Sequence, residues 1–419
     1  MSATVVIIGT CDTKLEQLAF LRRQIVAAPG SLTTCLINVG RHPSSNPDID
    51  VHGSDMLAKY RPELDISTLS RGDFIDAMGS CAMHAVLDML REGKLDGIVS
   101  AGGSCGTSLC SRVMRSLPIG LPKLIISTVA SGDTGPIVGE TDITLMYSVV
   151  DIAGMNPLLR DILSNAGAAI AAAAVSYSTR RRSRAQPSMQ QTPAKNKKRV
   201  GITMFGVTTP GVDAIREAFE ARYPVETYVF HATGHGGKAM ERLIAEGQLD
   251  AVIDLTTTEV CDHIMGGVMS AGAERLNAAV QAAIPTIVSL GALDMANFGA
   301  KHSVPERYAH RAQVEHNSLV TVVRSSPEDA RAIGQFICDK LRSAANPALI
   351  QMWLPLGGIS LFSVPGGPFY DADADAVLFD TIREGLRKTG IRIIEDAGSV
   401  NDGAFAARIV AAMAELMGL

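Results

Sequence analysis

The stretch VVIIGTCDT (5–13) and its counterpart VGITMFGVTTP (200–210) decide the fold. Each is a short β-branched run, too uniformly apolar for a strand with one wet face, that breaks into small and hydroxylated residues. Strands buried on both faces of a parallel sheet read this way. A helix is expected from about Lys14 after the first, and Pro210 suits the first turn of a helix after the second.

The repetition continues outward. Second strands are read in TTCLINVG (33–40) and ETYVFHATG (226–234). AMHAVLDMLREGKLDGIVSAGGS (82–104) parallels AMERLIAEGQLDAVIDLTTTE (239–259): helical apolar spacing, Gly93 or Gly247 where a C-cap belongs, then Leu-Asp and a buried strand. LPKLIISTVASGD (121–133) answers IPTIVSLGALDM (284–295). Four correspondences in one order imply internal duplication, and strands alternating with helices imply α/β architecture. Two Rossmann-like parallel-sheet domains are therefore expected, over 1–177 and 200–419.

Between them STRRRSRAQPSMQQTPAKNKKR (178–199) lacks apolar periodicity and reads as a basic, solvated and disordered linker. Beyond residue 318 the strand LVTVVRSS (319–326), a helix from Pro327 to about Ser343, the segment WLPLGGIS (353–360), a GGPFYD turn, a helix over 372–389, the strand IRIIED (391–396) and a closing helix elaborate the second domain. Asp371, Asp373 and Asp375 suit a helix N-terminus; calcium is not favoured, because the Gly and distal Glu of an EF-hand loop are missing.

Composition narrows the function. The 419 residues carry a formal charge of −5, 39 glycines and only 5% aromatics. Neither a nucleic-acid footprint nor a base-stacking surface is expected. The most apolar helical stretch, Ala166–Val175, is about half the length a bilayer needs, so no membrane role is expected. The start resembles no signal peptide, and seven cysteines without a paired spacing suit reduced thiols; the cytoplasm is the expected compartment.

In open parallel sheets ligands lie beyond the carboxyl ends of the strands, where helix N-termini and turn amides converge. In the first half those turns read Gly9-Thr10-Cys11-Asp12-Thr13-Lys14, then Gly102-Gly103-Ser104-Cys105-Gly106-Thr107, then Thr128 with Ser131-Gly132-Asp133. Glycines admit phosphate oxygens to the backbone, and hydroxyls add donors. Lys14 supplies charge, and Asp12 or Asp133 could hold Mg2+. Neither a Walker motif nor a strict GxGxxG is present.

The second half places ionisable groups at the equivalent turns, notably His231, His235 and Glu259. These suit general acid–base work on a small acidic substrate, a carboxylate or sugar acid, in a cleft between the domains. Glu259 and His263 would share a helix face, but the spacing is not that of a metal site. A nucleotide-binding protein and an enzyme, metal-assisted or not, acting on such a substrate both remain open on these residues.

The strings GTCDTK (9–14), SAGGSCGTSL (100–109), STVASGD (127–133), DITLMYSVVDIAGMN (142–156), GITMFGVTTP (201–210), VFHATGHGGKAME (229–241), DLTTTEVCDHIMGG (254–267), SLGALDMANFG (289–299) and FYDADADA (369–376) resemble the Tm-one-like ATP-binding family. That family takes its name from a tomato mosaic virus resistance protein whose amino-terminal region it shares. The resemblance spans the chain apart from the linker. It implies two Rossmann-like units, ATP as ligand, a homodimer or higher homo-oligomer, and nucleotide contacts in GTCDTK, AGGSCGT and STVASGD. It implies no reaction.

Overall fold

Both parallel sheets are present in the computed structural model, which describes residues 2–185 and 197–419. The chain separates into two compact units, Met1–Thr192 and Pro193–Leu419.

In unit 1, β1 (Ala3–Gly9) leads to α1 (Cys11–Ala27) and β2 (Leu32–Asn38). Then come α2 (Gly53–Tyr60), α3 (Arg71–Arg91), β3 (Gly97–Gly102), α4 (Ser104–Arg115) and β4 (Lys123–Ser127). The short α5 (Gly135–Val138), β5 (Thr144–Tyr147) and α6 (Pro157–Ala185) complete it. The strand order is β2-β1-β3-β4-β5, every pairing parallel. Val5, Val6, Ile7 and Ile8 of β1 are wholly buried because helices cover both faces of the sheet.

Unit 2 repeats that order and extends it. It runs β6 (Lys198–Met204), α7 (Thr209–Arg222), β7 (Val225–His231), α8 (His235–Ala245), β8 (Ala251–Thr256), α9 (Thr258–Met265), α10 (Asn277–Ala282) and β9 (Thr286–Gly291). After β10 (Met295–Phe298), β11 (Gln313–Asn317), β12 (Val320–Arg324) and α11 (Pro327–Arg342) come β13 (Ile350–Pro355), α12 (Ala372–Leu386), β14 (Arg392–Asp396) and α13 (Gly403–Met417). The main sheet is ordered β14-β13-β9-β8-β6-β7. With β6 to β9 equivalent to β1 to β4, the duplication read in the sequence is also a duplication of topology.

Three readings change. The strand at 319–326 does not join the parallel sheet: β12 pairs antiparallel with β10 and β11 in a separate three-stranded sheet. Only two residues separate β11 from β12, which suffices for a hairpin but not for a parallel crossover. The basic segment 178–199 is divided. Residues 178–185 extend α6, where Arg181 pairs with the buried carboxylate of Asp96 at 2.9 Å and Arg182 donates to the Ser2 carbonyl. These contacts give the arginines a reason to stay helical. Lys198 and Arg199 open β6, and 186–196 lies outside the described residues. The apolar helix is also longer than 166–175. By length and composition Pro157–Ser183 could cross a bilayer, yet Leu159, Leu163, Ala166, Ile170, Ala171 and Ala174 are buried in one cluster with β1, β3 and β4 residues.

The triple aspartate does mark a helix start: Asp371 caps α12, accepting from the Ala374 amide at 3.0 Å. All seven cysteines are free, and burial pushes the thiols of Cys11 and Cys110 up to about 12.

Candidate functional site

In a sheet of this order the chain leaves β1 for β2 on one side and then crosses to β3 on the other. The loops after β1 and β3 therefore diverge and leave a crevice between them. A cavity of about 400 Å³ opens there. Thr10, Asp12, Thr13 and Lys14 line it from the first turn of α1, and Gly103, Ser104, Cys105 and Gly106 from the start of α4. Two sequence-distant turns thus meet because of strand order.

The first-turn amides of α4 have no intrahelical acceptor and, with the helix dipole, make a seat for an anion. Gly106 faces open space: a Cβ there would meet nothing within 4 Å. Asn38, at the end of β2, holds the geometry from behind, its Oδ1 accepting from the amides of Cys11 at 3.0 Å and Gly40 at 2.8 Å.

Two cations missed in the sequence reading complete the lining, Arg41 and Arg71, together with Phe74. Arg41 stands just past the β2 run. One of its nitrogens donates to the carbonyls of Ile66, Leu69 and Ser70, and its guanidinium lies 5.0 Å from the Phe74 ring centre. The available signal was a basic residue immediately after the second strand, the place where dinucleotide folds read their ligand.

The remaining expected contacts divide. Asp12 lines the cavity, with Oδ2 accepting from the amides of Arg41 at 3.1 Å and His42 at 3.3 Å. Its Oδ1 is buried and has no hydrogen-bond partner among the described residues. Gly9, Gly102 and Thr107 are supports rather than lining. A Cβ on Gly9 would press on Leu18, one on Gly102 would lie 3.5 Å from the Gly106 Cα, and Thr107 is buried with its hydroxyl 2.7 Å from that of Ser127. The turn bearing Thr128, Ser131, Gly132 and Asp133 follows β4, one strand away from the crevice. It is not part of this lining. Asp133 is exposed and accepts from the Gly135 amide at 3.1 Å.

Unit 2 has the same crossing between β6 and β8, but its strand ends are filled by its own chain. Thr208, Thr256, Thr257, Thr258 and Glu259 are all wholly buried. The hydroxyls of Thr208 and Thr256 lie 2.8 Å apart, and the Val207 carbonyl accepts from the Leu361 amide and from Asn401. Glu259 is fully engaged. Oε1 accepts from the amides of Gly234 at 2.7 Å and Gly237 at 2.9 Å, while Oε2 accepts from Arg275 at 2.8 Å. Arg275, itself buried, also holds Asp254 through two nitrogens and approaches Glu241 at 3.4 Å. Both oxygens of the Glu259 carboxylate are thus engaged and buried, and neither is presented to an open cleft in this arrangement. His231 is exposed and stacked on Phe205 at 5.6 Å, and His235 is exposed at the start of α8. The described residues contain no group of three or more His, Cys, Asp or Glu placed to hold a metal.

Fold and site together define a two-unit α/β protein with an open crevice, lined by Lys14, Arg41 and Arg71, at the switch point of the unit 1 sheet. The chain belongs to the uncharacterised protein family UPF0261: residues 3–179 match its N-terminal domain and 197–417 its C-terminal domain. Among its relatives, a UPF0261 protein of Clostridium tetani (strain Massachusetts / E88) is 39% identical, with all of both chains covered. The ToMV resistance protein Tm-1(GCR237) of Solanum lycopersicum is 36% identical over 99% of this chain and 56% of its own length. The resemblance to a Tm-one-like family is thus shown. A UDP-GlcNAc 2-epimerase from Neisseria meningitidis, solved bound to UDP-GlcNAc, aligns over 98% of both chains at 11% identity and a TM-score of 0.21, a likeness too slight to bear on function.

Proposed function

We propose that unit 1 binds a polyphosphate nucleotide, ATP by the family resemblance, at the carboxyl ends of β1 and β3. One observation carries the reading: the 400 Å³ crevice gathers the start of α4, the hydroxyls of Thr10, Thr13 and Ser104, and the cations Lys14, Arg41 and Arg71 around one volume. In a chain of net charge −5 such a concentration of donors fits an anion. Asp12 is the one carboxylate in this lining, and its unpartnered Oδ1 fits Mg2+, which would screen phosphate charge. The virus-resistance role named for the tomato relative is not carried over.

Isothermal titration with Mg-ATP tests the proposal through Gly106→Asp. Space is available for the side chain, and an acid in a first helical turn is favoured by the dipole, so the fold should hold. A second charge in the cradle repels phosphate, and affinity should fall by about 100-fold or more, on the order of 3 kcal/mol. Equal affinity in Gly106→Asp and wild type would move the ligand elsewhere.

A further inference from the structure

We propose that unit 1 has a second anion seat beside the first, so that its ligand is either a nucleotide phosphorylated on the ribose or a nucleotide accompanied by a separate small phosphate or carboxylate. This rests on the nucleotide reading above and goes beyond it. A second cavity, of about 360 Å³, lies at the carboxyl end of β2, and Arg41 lines both.

The chemistry of this second lining is one-sided. It offers Arg41, His42 and His52 with the hydroxyls of Ser44, Ser45 and Ser54, and no carboxylate. α2 begins at Gly53, so the amides of Gly53 and Ser54 precede the first intrahelical bonds. The His52 carbonyl is already taken by the amides of Asp55 and Met56. The position matters as much as the charge. At the end of the second strand, a dinucleotide fold that takes an unmodified ribose supplies a carboxylate for the diol, whereas one that takes a ribose phosphate supplies an arginine. Here the strand ends in Asn38, whose Oδ1 is used by the Cys11 and Gly40 amides. Arg41 follows three residues later. Its contacts with three carbonyls and the Phe74 ring fix it in place, and its buried Nε has no acceptor among the described residues. Asp12 takes the amides of Arg41 and His42 and so locks the loop that separates the two seats. A Cβ on Gly40 would overlap the Asp12 carboxyl, so this loop geometry requires glycine there.

The test is a calorimetric series on the whole protein with ADP, 2′-phospho-ADP and 3′-phospho-ADP, followed by orthophosphate titrated with and without ATP. If the second group belongs to the nucleotide, one of the two ribose-phosphorylated ligands should bind about tenfold or more tighter than ADP. If it belongs to a separate molecule, the ribose phosphates give no gain, and orthophosphate binds more tightly once ATP is present. In either case Ser54→Asp and His52→Glu, which place a negative charge in the seat, should bring the affinity ratio close to one. An acid at Ser54 lies in the first turn of α2, where it favours the helix, so loss through unfolding is not expected. Wild-type protein that binds ATP but shows neither a ribose-phosphate gain nor an orthophosphate response overturns this inference and leaves the nucleotide reading standing. Protein that binds orthophosphate but neither ATP nor ADP overturns the nucleotide reading, and this inference with it.

Discussion

The two units share a strand order and differ at the place where that order creates a crevice. Beyond β1 and β3 the loops part around a cavity lined by Lys14, Arg41 and Arg71. Beyond β6 and β8 the corresponding threonines are buried, the adjoining Val207 carbonyl is held by Leu361 and Asn401, and the nearby acids Asp254 and Glu259 are paired from within by Arg275. After a duplication, then, one copy of a switch point can stay open while the other is closed by residues from later in its own unit. The polar residues of the filled copy become part of the core. Carboxylates at a strand end are candidate catalysts only where nothing from the same chain has reached them first.

The sharpest way to break this contrast is Arg275→Met. It leaves Asp254 and Glu259 buried without their cation, a loss of about 3–5 kcal/mol for a broken buried pair, and the unit 2 melting transition should collapse in calorimetry. A variant that melted with wild type would mean the acids are wet and unit 2 is as open as unit 1.

A smaller effect comes from Asp262, on the same filled side. Burial pushes its carboxyl from 3.8 up to about 7, although it accepts from the amides of Met269 and Asn297 and from the Asn297 side chain. The native state keeps a proton there that the unfolded chain has lost above pH 4. The associated stability is therefore complete below about pH 4 and is lost as pH rises from there through about 7, amounting to roughly 4 kcal/mol. Urea melts between pH 4 and 8 should show this decline, with Asp262→Asn removing most of it. A slope of the opposite sign would place Asp262 in an ionised, solvated site.

The mildest comparison uses one substitution twice. Gly106 and Gly237 are each the third residue of a helix. A Cβ on Gly237 would overlap the Glu259 carboxylate, whereas one on Gly106 meets open space. Gly237→Ala should cost about 1–3 kcal/mol by overpacking. Gly106→Ala should stabilise by up to about 1 kcal/mol through helix propensity. Equal effects in thermal melts would remove the distinction between a filled edge and an open one.

Much of the frame was legible because it follows from local chemistry. Buried β-branched runs, glycine C-caps and repeated punctuation are short-range signals, and they gave the parallel α/β units and the duplication. GTCDTK and GGSCG could be singled out as turns that line one crevice for the same reason: small residues after a strand leave amides free. The same logic also picked out STVASGD and Glu259, whose surroundings it could not foresee. Nothing in Ser131 or Asp133 says that β4 lies beyond β3 from β1, and nothing near Glu259 announces an arginine sixteen residues on.

What the sequence determined by itself was the elements, their class and their twofold repeat, since each depends on neighbours within a helical turn or a strand. Tertiary structure alone decided which strand ends stand beside one another, that Arg41 and Arg71 join Lys14, and that the acids of unit 2 are consumed internally. Those outcomes depend on crossovers and on residues tens of positions apart, and the energy of a charge is set by what surrounds it in space rather than by its place in the chain.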